Sequence, residues 1–212
     1  MIELVIFDAD GVLFDSTESN TAYYNAIFAA IGAPPMNPQE ERAGVFMAAP
    51  QVFELRARGD AELLARMRAA ARGMDSTPFF KLLRPSVELR PFLLELKQRY
   101  RVGLATNRSA TIPALIDFLG LAGVFDAVAS ARDPVRPKPA PDIVELCLER
   151  AGVGAQRAVY VGDSETDRIA AEGAGTHFIG VGARVDHAHR IETIAELPAT
   201  LARVFRASAA RG

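Results

Sequence analysis

The sequence predicts an α/β protein: a parallel sheet flanked by helices, interrupted once by an all-helical insert. Three observations predict it. Leu4-Val5-Ile6-Phe7 is a continuous apolar run of strand length, as expected for a strand covered on both faces. From Val87 onward, short apolar runs alternate with amphipathic stretches of helical period, which implies parallel strands joined by right-handed crossovers. Between Ser16 and Arg84 apolar residues recur at helical spacing, with no strand-type alternation to compete.

The first strand ends abruptly in Asp8, with Asp10 and Gly11 following in a flexible turn. Asp15 is placed to cap a helix, with Glu18 three residues later completing a capping-box pattern. The insert then carries Tyr23, Ile27, Phe28 and Ile31, followed by Val52, Phe53 and Leu55, and by Leu63, Leu64 and Met67. Breaks fall at Gly32–Pro38 and at Gly59-Asp60. Val87–Tyr100 reads as a helix with Leu89, Phe92, Leu93 and Leu96 on one face. Strands are expected at Val102–Ala105, Ala127–Ser130, Ala158–Val161 and, last, His177–Val181. Helices are expected at Ile112–Leu119, Asp142–Ala151, Thr166–Glu172 and Leu197–Phe205, with a frayed tail after Ser208. The α/β core is therefore expected over residues 1–15 and 85–212, and the insert over 16–84.

Composition bounds the function. At 212 residues, with 50% hydrophobic and 24% charged side chains, the chain has the makeup of an ordinary globular protein. A formal charge of -2 gives no general attraction to nucleic acid or to an anionic membrane. Cys147 is the single cysteine, so no internal disulfide is possible, and a reducing, cytoplasmic location is expected. Its leucine neighbours suggest a buried, inert thiol. Glu3 and the absence of a basic start favour a first strand over a signal peptide. No apolar run is long enough to span a bilayer. His187-x-His189 suggests no third metal ligand and reads as a solvated helix start.

Four stretches lie just beyond a strand or at a loop entering a helix: Asp8-x-Asp10, Thr106-Asn107, Lys138, and Gly162-Asp163-Ser164 with Asp167. Ligands of open α/β sheets bind outside the carboxyl ends of the strands. Phosphoryl transfer has needs that match these residues. An attacking carboxylate requires a cation to suppress repulsion from phosphate, and carboxylate oxygens suit Mg²⁺. A second acid can protonate the leaving alkoxide and later deprotonate water. A hydroxyl and an ammonium can hold the remaining phosphate oxygens. Of the 24 Lys plus Arg, only Lys81, Lys97 and Lys138 are lysines, and Lys138 stands between Pro137 and Pro139. Each group also has an ordinary reading: Asp8 and Asp10 form turns, Thr106-Asn107 and Asp163 cap helices, and Lys138 is solvated.

The four elements in this order resemble motifs I to IV of the haloacid dehalogenase superfamily. The helical insert directly after the first motif resembles the C1-capped phosphoglycolate phosphatase and β-phosphoglucomutase group. The resemblance covers essentially the whole chain and implies a Rossmann-like core with a helical cap. It also implies a Mg²⁺-dependent phosphatase acting on a small phosphorylated metabolite, as a monomer or homodimer, with neither nucleic acid nor membrane as partner. By the same resemblance Asp8 is the nucleophile, forming an aspartyl-phosphate. Asp10 is the general acid/base and lends its backbone carbonyl to the metal. Thr106 and Lys138 hold the phosphoryl group, Asn107 supports the site or touches substrate, and Asp8 with Asp163 binds Mg²⁺. Asp167 orients Lys138 or water from behind.

The chain departs from the pattern at Val12, where phosphoglycolate phosphatases commonly carry Thr. The two acids argue against halide chemistry. A phosphonatase would need a cap lysine, and Lys81 lies near the far end of the insert. A phosphomutase is the nearest alternative, and a receiver-type phosphoacceptor, with Asp133 as its one later acid, a more distant one. Among the insert's arginines, Arg42 and Arg56 are candidates for reading the far end of a substrate, while Phe46, Phe53 and Phe79 are expected in its core.

Overall fold

The computed structural model describes residues 1–47, 49–108 and 111–206; the tail after Ser208 lies outside them. The chain divides into two compact units, Met1–Phe14 with Pro85–Gly212, and Asp15–Arg84. In chain order the elements are β1 (Leu4–Phe7), β2 (Phe14–Asp15), α1 (Thr17–Ala30), α2 (Pro38–Phe46), α3 (Ala49–Ala57), α4 (Ala61–Gly73) and β3 (Arg84–Pro85). They continue with α5 (Leu89–Lys97), β4 (Arg101–Thr106), α6 (Ile112–Phe118), β5 (Ala127–Ser130) and α7 (Asp142–Ala151). Last come β6 (Ala158–Gly162), α8 (Glu165–Gly173), β7 (His177–Val181), β8 (Arg190–Ile191) and α9 (Leu197–Arg206).

The larger unit is the expected Rossmann-like core. Its six strands run in the order β5-β4-β1-β6-β7-β8, and every pairing is parallel. A strand in the middle of such a sheet has helices over both faces, so all of its side chains must be apolar. All four residues of β1 are 0% exposed. Burying side chains of this size contributes about 1.5–3 kcal/mol each. Gly103 in β4 has a packing reason: a Cβ there would lie 2.8 Å from Cys147 Sγ on α7, so the glycine lets that helix sit close. Burial pushes the Cys147 thiol up to about 12, which keeps it inert.

The sequence misplaces three features. His177–Val181 is not the last strand, because β8 pairs beside β7 at the sheet edge. Two residues, one exposed arginine and one buried isoleucine, make too short a run to read. His187 and His189 accordingly lie in the loop before β8 rather than opening a helix. Asp15 accepts a hydrogen bond from the Thr17 amide at 2.9 Å, but Glu18 pairs with Arg84 at 2.8 Å instead of closing a capping box.

The smaller unit is all-helical apart from the short strands at its ends. Tyr24, Ile27, Phe28, Met36, Val52, Phe53, Ala57 and Met67 form its core. Phe79 packs edge-on against Tyr23, with ring centres 5.8 Å apart. Arg56 is held inside this unit: it pairs with the buried Glu40 at 2.6 Å and lies over the Phe28 ring. That ties Arg56 to the unit's own packing. No helix among the described residues is long and apolar enough to cross a membrane.

Candidate active site

Strand register brings the distant motifs together. Phe7, the last residue of β1, stands beside Leu104 of β4 and Val161 of β6. Asp8, Thr106 and Asp163 therefore emerge at one edge of the sheet, the carboxyl edge where ligands bind in such folds. Asp8 is anchored there by its amide, which donates to the Val161 carbonyl at 2.9 Å.

Lys138 is the centre of this edge. Its side chain is 3% exposed, and its ammonium donates to Asp8 Oδ1 at 2.7 Å, Asp167 Oδ1 at 2.6 Å and Tyr160 Oη at 2.8 Å. The Ala105 carbonyl, at 3.3 Å, is a fourth and longer acceptor, so every proton of the ammonium has a partner and its position is fixed. The loop behind it is fixed as well. The Lys138 amide donates to Asn107 Oδ1 at 2.8 Å, and Asn107 Nδ2 donates to the Lys138 carbonyl at 3.1 Å. Asn107 thus clamps the backbone that carries the lysine. Thr106 closes β4 with its hydroxyl accepting from the Arg108 amide at 3.2 Å.

The acids have distinct settings. Asp167 is 1% exposed; its Oδ1 meets Lys138, and its Oδ2 accepts from the Ser164 amide at 3.2 Å and hydroxyl at 2.5 Å. Ser164, not Asp163, caps α8. Asp163 is left to face Asp8, and Arg184 approaches its Oδ2 at 3.2 Å. Gly11 makes room for it. A Cβ at Gly11 would lie 2.0 Å from Asp163 Oδ2, and the residue's φ of +77° is one that glycine adopts without strain. Asp10 stands apart from the cluster: Arg108 grips it with Nε on Oδ2 and Nη2 on Oδ1, each at 2.7 Å.

Burial pushes Asp8 up to about 8, against the pull of Lys138, with Asp167 and Asp10 adding to the rise. Burial, then Asp167, pushes Asp163 up to about 7. The cluster thus gathers more carboxylate than cation, the condition a divalent ion relieves. Asp8, Asp163 and Asp167 each offer an oxygen within 4.8 Å of the others. Since Asp167 is engaged by Lys138 and Ser164, Asp8 and Asp163 are the better donors. An all-carboxylate set fits a hard cation such as Mg²⁺. The Asp10 side chain, paired to Arg108, is not in this group, which leaves its backbone carbonyl as the atom it would contribute.

Gly11→Ala tests this packing. The methyl group would force Asp163 aside, and weaker cation binding, by about 10–100-fold, is expected. Calorimetric titration with Mg²⁺ reads it; unchanged affinity would mean that Asp163 is not a ligand.

Three residues at the site escaped sequence reasoning. Tyr160 was signalled only by being the one hydroxyl in an otherwise apolar strand; it also donates to the Ala105 carbonyl at 2.7 Å. Arg108 directly follows the Thr106-Asn107 pair, and that adjacency was its only signal. Arg184 had none.

A model of the family described as haloacid dehalogenase-like hydrolases matches residues 5–181. Pyrophosphatase PpaX of Bacillus velezensis is 29% identical over 182 residues, covering 85% of this chain and 83% of that one. A phosphoglycolate phosphatase of Vibrio cholerae is 29% identical over 201 residues, covering 90% and 88%. Among solved structures, a subfamily IA hydrolase of the same superfamily from Geobacter sulfurreducens superposes with a TM-score of 0.76 at 32% identity. That match covers 94% of this chain and 96% of that one.

Proposed function

The chain belongs to the haloacid dehalogenase-like hydrolases, and from that premise we propose that it is a Mg²⁺-dependent phosphatase hydrolysing a small phosphorylated metabolite through a phosphorylated Asp8. The observation that carries this reading is the buried contact of Lys138 with both Asp8 and Asp167 at the end of β1. An ammonium held there can neutralise charge on the nucleophile and on an incoming phosphoryl group together.

Each residue has a task in this reading. Asp8 Oδ1 is held by Lys138, so Oδ2 attacks phosphorus. The new O–P bond forms as the ester P–O bond breaks, and Asp10 gives the leaving alkoxide its proton. Water then attacks the aspartyl-phosphate, Asp10 takes its proton, and inorganic phosphate leaves with Asp8 restored. The Thr106 hydroxyl and the Lys138 ammonium hold the phosphoryl oxygens. Asn107 keeps the Lys138 backbone in place, and Asp167 orients the lysine from behind. Asp8, Asp163 and the Asp10 carbonyl would hold Mg²⁺, which when bound supplies positive charge to the phosphoryl group and to the nucleophile. The phosphoacceptor alternative loses its acid. Asp133 is engaged by Arg150 at 2.6 Å and by the Ser130 amide at 2.9 Å, which makes it a turn-forming residue.

The test is release of inorganic phosphate from a panel of phosphomonoesters with Mg²⁺ present. Chelation should abolish it and added Mg²⁺ restore it, and Mg²⁺ should also raise the melting temperature without substrate, as binding to the folded state requires. Formation of an isomeric ester in place of free phosphate would instead identify a mutase. Full turnover in excess chelator would sink the proposal.

A further inference from the structure

We propose that Arg184 competes with the divalent cation for Asp163, and so sets how tightly the site holds that cation. With the arginine's charge removed, the acids of the site would bind the ion more strongly. This inference rests on the phosphatase reading, in which Asp8 and Asp163 hold Mg²⁺.

A fixed backbone delivers Arg184 to the site. The residue lies in the loop between β7 and β8. That loop is closed at its base by the Gly182 amide, which donates to the Ile191 carbonyl at 2.8 Å, and by the Gly180 amide, which donates to the His189 carbonyl at 2.9 Å. Val185, the next residue, is buried and packs on Gly180, where an added Cβ would lie 2.7 Å from Val185 Cγ1. The Arg184 side chain is by contrast 52% exposed, and its Nη1 donates to Asp163 Oδ2 at 3.2 Å. The guanidinium is thus brought to the carboxylate by a pinned loop, yet it has solvent to move into.

Such an arginine has two possible roles: it orients Asp163 for the ion, or it draws the carboxylate away from it. Geometry decides between them. The orientation of Asp163 is already fixed from the other side. Its side chain is 7% exposed, and a Cβ at Gly11 would lie 2.0 Å from Oδ2 and 3.0 Å from Oδ1. A 3.2 Å bond from a half-exposed guanidinium adds little to that. The charge of Arg184 matters more, since cation affinity is tuned by the charge that the ligands carry. Lys138 offsets one carboxylate from inside the fold, where its ammonium is buried. Arg184 offsets a second on the very group the ion would use, and repels a doubly charged ion from close by. Once the ion takes Asp163, water can hydrate the half-exposed guanidinium, so the exchange costs the fold little. Arg184 thereby keeps the cation exchangeable.

The experiment titrates Mg²⁺ by calorimetry into the wild type, Arg184→Gln and Arg184→Lys, without substrate. Arg184→Gln should bind Mg²⁺ at least about threefold tighter, the size expected of one partly exposed charge acting on a divalent ion. Arg184→Lys, which keeps the charge, should stay within about twofold of wild type. Added KCl should shrink the gap between wild type and Arg184→Gln, because exposed charges are screened. Melting temperatures confirm that both variants are folded, and the rise produced by Mg²⁺ should be larger for Arg184→Gln. A gain below about threefold would overturn the proposal, and so would weaker binding, which would mark Arg184 as a residue that orients Asp163 for the ion. A gain shared by Arg184→Lys would overturn it too, since lost shape rather than lost charge would then be the cause. If the wild type itself binds no Mg²⁺, the cation reading of the site fails and takes this inference with it; that result comes from the wild type alone and is distinct from the others.

Discussion

Asp8→Asn is expected to lower turnover by about 10⁴-fold or more, the scale seen when a covalent nucleophile is removed. The substitution is nearly isosteric. An amide oxygen can still accept from Lys138, so the hydrogen bond recorded at 2.7 Å has a successor. What disappears is the nucleophile and one negative charge of the metal site. The fold should not suffer. Asp8 is pushed up to about 8 by burial, so its charge is costly where it sits, and replacing it removes that cost. The metal-free variant should therefore melt no lower than the metal-free wild type at pH 8. Together, lost turnover and kept stability separate a chemical role from a packing role. Wild-type rates in a verified Asp8→Asn preparation would remove Asp8 as nucleophile and return the chemistry to one of the other acids.

The parts of the site that could be read in advance are those that close an apolar run. Phe7 gives way to Asp8, Ala105 to Thr106 and Gly162 to Asp163, each a change from buried strand to polar end. Parallel pairing does the rest, because β1 lies between β4 and β6 and all three end on the same edge. The fold class follows from the same alternation of runs and was readable for that reason. Arg108 was not, since its partner Asp10 is 98 residues away and nothing local demands the contact. Tyr160 reads as one more large strand residue; its hydroxyl matters only because Lys138, 22 residues before it, reaches across to it. Arg56 shows the opposite error. A cationic side chain in a helical insert suggests a substrate contact, yet Glu40 and the Phe28 ring engage it locally. The edge strand β8 was hidden because two residues carry no period.

Lys138→Met should cost both turnover and stability, and the stability cost should depend on pH. Turnover is expected to fall about 10²–10³-fold, as for loss of one preorganised donor to a developing charge. Asp8 and Asp167, both at least nine-tenths buried, would then face each other without their shared cation. Breaking a buried pair from one side typically costs about 3–5 kcal/mol. The pH direction follows from Asp8. Its pKa rises from 3.8 in the unfolded chain to about 8 in the fold, against the lowering influence of Lys138. A carboxylate raised in this way stabilises the fold at pH below 3.8, and that contribution drains as pH climbs toward the folded value. Without Lys138 the folded value rises further, so the loss continues past pH 8, where that of the wild type levels off. Up to about pH 8 the two proteins lose this contribution alike, and above it the variant alone goes on losing. Urea midpoints measured without metal should therefore show a larger deficit at about pH 10 than at about pH 7. Saturating Mg²⁺ should narrow it by supplying part of the missing charge. Equal deficits at both pH values would mean that Lys138 fills space rather than balancing charge, and the electrostatic account of the site would have to be abandoned.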